Sequence, residues 1–229
     1  STVKGQTGVE IEGTSRNNTA NSRSVLIENT ITAETGNIKM TGRINGNTSD
    51  ANQRAVTLVG GNSKLVAKDG NIDINADTFL INTGSATMVS AAGTGKGVVS
   101  INTTTEGRNV VLGSSDTVTN LGVDQGEIAK IAAQKLIIGN STNGGAIHIE
   151  TAINASHIDT LSLQTKSDKT ITQTTTGTSS GSIAAKNVEI VSGNVTLNNV
   201  DLTLAANGDY SDASFSFNVG GSVSGSLHN

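Results

Sequence analysis

The chain has 229 residues and a formal net charge of −4, and charged residues make up only 15% of it. It has no cysteine, which excludes disulfide frameworks and thiolate metal sites, and no basic stripe of the kind that binds nucleic acid or an anionic membrane. Aromatic residues amount to 2% and proline is absent, so Val, Ile, Leu and Ala must fill the interior and nearly every strand can have ladder neighbours on both sides.

Apolar and polar residues alternate in short runs along the chain, which indicates strands with one buried and one solvated face. Val9 and Ile11 belong to one strand, Val25 and Ile27 to the next, and the polar interval 12–24 is predicted to be an irregular loop. The same alternation predicts further strands at 36–40, 55–59, 70–75, 79–81, 98–101, 110–112, 146–149, 161–163 and 170–172.

The interval 126–139 permits two interpretations. Ile128, Ile131 and Leu136 fit helical spacing as well as strand spacing, and Ala, Lys, Gln and Glu are good helix formers. We predict two strands bent at residues 132–134, with one helical turn as the alternative.

The interval 187–205 has the clearest alternation. It predicts three strands, separated by corners at 192–194 and 198–199 whose Ser, Gly and Asn residues allow sharp bends. The inward residues of these strands are Val188 and Ile190, then Val195 and Leu197, then Val200, Leu202 and Leu204. The remaining interval, 206–229, is expected to be a less regular end.

Corners this short could join either antiparallel hairpins or the coils of a parallel β-helix. Their variable length and the shortness of the strands favour the β-helix, in which coils stack at roughly 4.8 Å. The strand spacing predicts about 20 residues per coil, about ten to twelve coils and a rod about 50 Å long. One continuous interior should contain Ile38, Ile72, Ile74, Val99, Ile101, Leu136, Ile138, Ile147, Ile149, Val195 and Leu197.

Three phrases carry a family resemblance: KLIIGN at 135–140, GGAIHI at 144–149 and GNVTL at 193–197. Together they resemble the repeat region of filamentous-haemagglutinin-like exoproteins, large adhesins of Gram-negative bacteria exported by two-partner secretion. The resemblance covers about residues 5–205 and implies a right-handed parallel β-helix. A Gly-Asn-aliphatic-polar-aliphatic phrase begins at Gly36, Gly70 and Gly193 without a strict period, so we expect coils of unequal length. The secretion domain of that family carries an Asn-Pro-Asn signature, so a chain without proline is expected to be a single β-helix segment, 1–229, from inside a longer rod.

The resemblance implies a non-enzymatic structural or adhesive rod segment of a secreted or surface-anchored bacterial exoprotein, associated with the outer membrane. Its implied partners are a protein or glycan receptor on cells or matrix and an outer-membrane transporter during export. No apolar run approaches the roughly 18 residues of a membrane span and the first residues lack a signal core, so we expect neither membrane insertion nor a secretory signal here. The alternative is a carbohydrate-active β-helix enzyme or a phage-tail-like polysaccharide-binding protein. Enzymes of that kind usually need clustered carboxylates or basic residues together with aromatic platforms for sugar rings.

Asp73, Asn75 and Asp77 form a D-x-N-x-D run that resembles the start of a calcium loop, but Thr78 and Gly84 stand where that loop needs Gly and a carboxylate. We therefore assign the run to an outer strand face. The three histidines lack ligand spacing, and Thr runs at 103–105 and 174–176 lie in predicted corners rather than on a flat ice-binding face. We expect no catalytic, cofactor or metal site, and we expect three side chains to be exposed: Asp73, Asp77 and His148.

Overall fold

The computed structural model describes residues 2–16, 22–45, 53–82, 89–91, 97–173, 183–203, 214–219 and 223–228, with backbone alone at 184, 197–203, 214–219 and 223–228. Within these ranges the chain forms short strands and one helical turn. In chain order the elements are β1 (Val3–Gly5), β2 (Val9–Ser15), β3 (Arg23–Ile27), β4 (Thr30–Ala33), β5 (Ile38–Ile44), β6 (Arg54–Val59), β7 (Lys64–Ala67), β8 (Ile72–Ala76), β9 (Phe79–Asn82), β10 (Val89–Ala91), β11 (Val98–Asn102), β12 (Asn109–Leu112), β13 (Asn120–Val123), α1 (Gln125–Ile128), β14 (Ile131–Ala132), β15 (Lys135–Gly139), β16 (Ile147–Ile149), β17 (Ile153–Asn154), β18 (Thr160–Gln164), β19 (Thr170–Gln173), β20 (Ile183–Ala184), β21 (Asn187–Ser192), β22 (Asn194–Thr203), β23 (Ser214–Val219) and β24 (Val223–His228).

All strand pairs within the described residues are parallel, so the hairpin alternative is excluded there. An eight-stranded sheet, which we name the long sheet, stacks β2-β5-β8-β11-β15-β18-β21-β23. The other faces contain three further sheets, with the orders β1-β4-β7-β10-β14, β3-β6-β9 and β13-β12-β16-β19-β22-β20-β17, and β24 pairs with β22. This is a parallel β-helix. Its right-handed sense, which parallel crossovers almost always adopt, stays a prediction.

Coil length can be measured along one column of backbone positions in the long sheet, in which each member pairs with the next. The column consists of Val9, Ile38, Ile72, Val99, Leu136, Leu161, Val188 and Phe215. Successive differences in residue number are 29, 34, 27, 37, 25, 27 and 27. The unequal coil lengths are confirmed.

The predicted coil of about 20 residues and the count of ten to twelve coils are wrong. Eight stacked strands at about 4.8 Å give a stack of about 34 Å, shorter than the predicted 50 Å. The reason is that one coil crosses three faces and includes long connections, so it takes up more chain than the spacing between neighbouring strands suggests.

The interior is one continuous apolar cluster that runs through the coils. Every predicted core residue with a described side chain lies in it and is 0% exposed; Leu197 lies outside the described side chains. Full burial of a Val, Leu or Ile side chain contributes about 1.5–3 kcal/mol. The core prediction is therefore confirmed for these residues: Ile38, Ile72, Ile74, Val99, Ile101, Leu136, Ile138, Ile147, Ile149 and Val195.

Asparagine side chains link the corners of successive coils at the repeated Gly-Asn phrase. The Oδ1 atom of Asn37 accepts a hydrogen bond from the backbone N–H of Asn71 at 2.9 Å, and Oδ1 of Asn71 accepts one from the N–H of Val98 at 2.9 Å. The Asn side chain thus supplies a hydrogen-bond acceptor at the bend, where the backbone ladder would otherwise end. At these two corners the Asn of the phrase therefore serves as an acceptor for the next coil.

Three local predictions differ from the structure. In 126–139 both interpretations hold in part, because helical turn α1 precedes the bent strands β14 and β15. The predicted loop 12–24 is shorter, since β2 extends to Ser15 and β3 begins at Arg23. The end expected to be less regular contains β23 and β24, which pair in parallel with β21 and β22.

Two strands, not three, form the described part of the interval 187–205. The corner at Gly193 is confirmed, and a side-chain carbon there would lie 2.1 Å from the carbonyl oxygen of Ser167, so only glycine fits. The predicted corner at 198–199 is instead a register shift inside β22, between Leu197 and Val200. Asn residues can accommodate such an irregularity without ending the strand. Leu204 lies outside the described residues.

Candidate functional site

The predicted calcium-like run serves to join coils. Oδ1 of Asp73 accepts a hydrogen bond from the Ser100 hydroxyl at 2.6 Å, and Oδ1 of Asp77 accepts the backbone N–H groups of Thr104 and Thr105, each at 2.9 Å. Both aspartates are half-buried, so the prediction that they are exposed is wrong. They point outward as expected, but side chains and backbone of the next coil cover them.

The described histidines also contact neighbouring coils. His148 is half-buried, and its Nδ1 atom lies 2.9 Å from the hydroxyl of Thr172 one coil further on, so its predicted exposure is wrong as well. Nε2 of His157 lies 3.2 Å from the carbonyl oxygen of Ile128 and 3.0 Å from that of Ile131. Two carbonyl acceptors require a proton on that nitrogen. The side chain of His228 lies outside the described set.

Charges on the outer face of the long sheet pair across strands. Lys39 lies 2.7 Å from Glu10, and the hydrogen bond and charge of Glu10 raise the pKa of Lys39. Lys135 lies 2.5 Å from Glu189, and its hydrogen bond, followed by one from Ser162, lowers the pKa of Glu189. Water screens pairs at such accessible positions, so they add little to the stability of the fold. Their effect is to neutralise this face rather than to present one sign of charge.

The longest coil contains the most unusual local structure, a connection at 113–130 that we name the insert. Its strand β13 pairs with the edge of β12 that lies opposite β16. Both β13 and α1 lie against β9. A side-chain carbon at Gly122 would lie 2.3 Å from the backbone nitrogen of Asp116, so this close approach requires glycine. The insert therefore fills the place above β9 where the next coil would supply a strand.

Asp116 is the first of two buried carboxylates in the insert. Its side chain is 1% exposed, and its two oxygens accept the backbone N–H groups of Phe79 and Gly122, both at 2.8 Å. The Nε atom of Arg54 lies 3.7 Å away. Burial raises the pKa of Asp116 to about 7, against the opposing effects of the Gly122 hydrogen bond and the Arg54 charge.

Glu127 is the second, and the residue is 4% exposed. One oxygen accepts the N–H of Ile81 at 3.2 Å and the other accepts the N–H of Asp124 at 3.0 Å. Asp124 in turn accepts the N–H of Glu127 at 2.9 Å, which completes a capping box at the start of α1. Burial raises the pKa of Glu127 to about 8, and the negative charges of Asp124 and Asp116 add to the effect.

The edge of β9 is therefore held by side chains in place of a further strand. Phe79 and Ile81 are alternate positions of β9, and their N–H groups reach the two carboxylates, while Nζ of Lys130 donates to the carbonyl oxygen of Ile81 at 2.8 Å. Arg108 holds the loop of the insert through the carbonyl oxygens of Thr117 and Val118, each at 3.2 Å. These contacts satisfy backbone groups that would otherwise be unpaired in a buried position.

Open space around this cluster is small. A cavity of about 20 Å³ lies among Gln53, Asp77, Thr78, Arg108 and Thr117, which is room for about one water molecule. Gln53 is 2% exposed, and neither atom of its amide group has a hydrogen-bond partner. A sugar ring or an organic cofactor does not fit this space.

The sequence interpretation missed both buried carboxylates. The D-x-x-E spacing of Asp124 and Glu127 is a capping-box signal and could have predicted α1 and a bonded role for Glu127. No local signal could have identified Asp116, because its contact with Phe79 spans 37 residues.

Within the described residues, no three His, Asp or Glu side chains lie close enough together to hold a metal ion. In the same part of the chain, no helix has the length and apolar character needed to cross a bilayer. Comparisons with protein-family models, with curated proteins and with solved structures find no match.

Proposed function

We propose that this chain is a segment of a non-enzymatic structural or adhesive rod, exported by bacteria and displayed at the cell surface or secreted. The observation that carries the proposal is that both the apolar and the polar side chains contact neighbouring coils. One apolar interior runs through the stacked coils, and the outward polar groups bond to the coil above or below, as Asp73, Asp77 and His148 do. Groups committed to stacking favour a scaffold over a reactive site.

The buried carboxylates do not favour the enzymatic alternative. A glycosidase needs two carboxyl groups that flank a sugar in a groove. Asp116 and Glu127 have raised pKa values, but each has both oxygens bonded to backbone N–H groups and each is nearly inaccessible to solvent. Among the described side chains the aromatic ring is that of Phe79, which is buried, so these side chains offer no exposed aromatic platform for a sugar.

In this proposal the rod meets a protein or glycan receptor on host cells, matrix or neighbouring bacteria, and an outer-membrane transporter exports the full-length protein. The balanced charges on the long sheet suit a rod that projects from a surface without nonspecific electrostatic adhesion. Neither nucleic acid nor a lipid bilayer is a proposed partner.

The test is to immobilise the 229-residue chain and measure binding to a panel of glycans, matrix proteins and whole cells, with release of reducing ends from polysaccharides measured in parallel. We expect saturable binding to at least one surface and no release of reducing ends. The Ile138→Asp variant, with a charge in the core, is the control for binding by unfolded chain. Release of reducing ends by the intact chain would contradict the non-enzymatic part of the proposal, and failure to bind any glycan, protein or cell would contradict the adhesive part.

A further inference from the structure

Two carboxyl groups join the insert to the edge of β9. One oxygen of Asp116 accepts the Phe79 N–H and one oxygen of Glu127 accepts the Ile81 N–H. β9 is the last strand of its three-stranded sheet within the described residues, so these bonds stand where a further strand would pair. An unpaired edge strand readily adds a strand from another chain, and the insert prevents this at β9.

The same carboxyl groups also hold the insert together. The second oxygen of Asp116 accepts the Gly122 N–H, and the second oxygen of Glu127 accepts the Asp124 N–H. Each carboxyl group is thus a single link between β9 and the body of the insert. Any change in its ionisation acts on both sides of the link.

The charges around the two groups are unequal. Arg54, from β6, lies 3.7 Å from Asp116, and the Arg108 guanidinium also acts on it. Glu127 faces the negative charges of Asp124 and Asp116 and, within the described residues, forms no ion pair. The nearby ammonium group of Lys130 donates to a carbonyl oxygen.

Full ionisation therefore places two buried negative charges near each other with limited compensation. A neutral carboxyl group keeps its carbonyl oxygen as a full acceptor for one backbone N–H, while its hydroxyl oxygen accepts the second N–H only weakly.

We propose that the insert is a pH-responsive clasp on β9, which holds the strand edge most firmly at acidic pH and loosens progressively as the pH rises to mildly alkaline. In a loosened clasp both carboxyl groups are in water, where their ordinary pKa values are 3.8 and 4.5. In the closed clasp burial raises the pKa values to about 7 and about 8. The closed state binds more protons than the open state between about pH 4 and 8, so raising the pH through this window favours opening.

The experiment measures amide hydrogen exchange of Phe79 and Ile81 in the full chain between pH 6 and 9, with rates corrected for the intrinsic pH dependence of exchange. We expect their protection to fall about tenfold or more from pH 6 to pH 8, since each proton released on opening changes the equilibrium up to tenfold per pH unit. Protection of Leu163, a core residue of β18, should stay constant.

Variants separate the clasp from a general effect of pH. Glu127→Gln and Asp116→Asn should each reduce the pH dependence at Phe79 and Ile81, whereas the exposed control Glu150→Gln should leave it unchanged. Three results would overturn the proposal: constant protection of Phe79 and Ile81 in the parent chain, an equal loss at Leu163, or a pH dependence as large in both variants as in the parent chain.

A second measurement does not depend on the variants folding. The side-chain carboxyl carbons of the parent chain can be titrated by NMR, and we expect the resonances of Asp116 and Glu127 to titrate with midpoints above pH 6. Midpoints near 4 for both groups would refute the clasp.

Discussion

Replacing Ile138 by Ala tests the inward assignment on which the fold depends. Ile138 is 0% exposed and lies in register between Ile101 and Leu163 of the adjacent coils. The substitution removes three carbon groups at about 0.8 kcal/mol each, a transfer loss of about 2.4 kcal/mol. A cavity that the stacked coils cannot close raises the total into the range of about 2–5 kcal/mol known for such truncations.

The neighbouring Ile137 supplies a matched control in the same strand. It faces outward, is half-buried and lies between Ser100 and Ser162, so its replacement by Ala removes the same groups from a partly solvated site. We expect this change to cost less than half as much as Ile138→Ala in the free energy of unfolding, measured by denaturant titration.

Hydrogen exchange should show which strands lose protection when Ile138 is replaced. Because each coil rests mainly on its neighbours, Ile138→Ala should weaken protection first in β11, β15 and β18 and later in β5. Equal destabilisation by the two substitutions, or a uniform loss of protection along the chain, would refute the reasoning.

Other expected outcomes concern the corners, the core and metal binding. Asn71→Ala removes the acceptor of the Val98 N–H and should destabilise the chain by about 1–3 kcal/mol, measured by denaturant titration. Val195→Asp places a carboxylate in the core and should cost several kcal/mol, whereas Thr196→Ala should stay within about 0.5 kcal/mol; similar losses would contradict the assignment of the two faces. Calcium should leave the melting temperature unchanged, and a saturable increase would contradict the stacking role of the 73–77 run.

Period-two alternation determined which residues face the interior. In a strand, successive side chains must point to opposite faces, so Ile72, Ile74, Val99 and Ile101 could be assigned to the core without knowledge of their neighbours. Another local signal, the Ser, Gly and Asn residues at 192–194, identified the Gly193 corner. Period-two alternation also predicted that Asp73 points outward. It could not predict that Asp73 is half-buried, because burial depends on which residue of the next coil packs against it.

The sequence pattern could not predict the coil length. The alternation is the same on every face, so it does not indicate which strand begins a new coil, and the register between strands is decided by stacking across 25 to 37 residues. For the same reason the sequence pattern predicted two strands separated at 198–199, whereas the structure has one strand with a register shift there.

The insert shows the clearest division between local and tertiary information. The D-x-x-E spacing of Asp124 and Glu127 encodes a helix start, because both hydrogen bonds of a capping box are formed within four residues. The bonds from Phe79 and Ile81 to the two carboxylates arise only when β13 steps back over β9, and they join residues 37 and 46 positions apart. Such contacts depend on the path of the chain through space, so a pattern read along the sequence determines the strands and their faces, and only the stacked structure determines which buried charges meet.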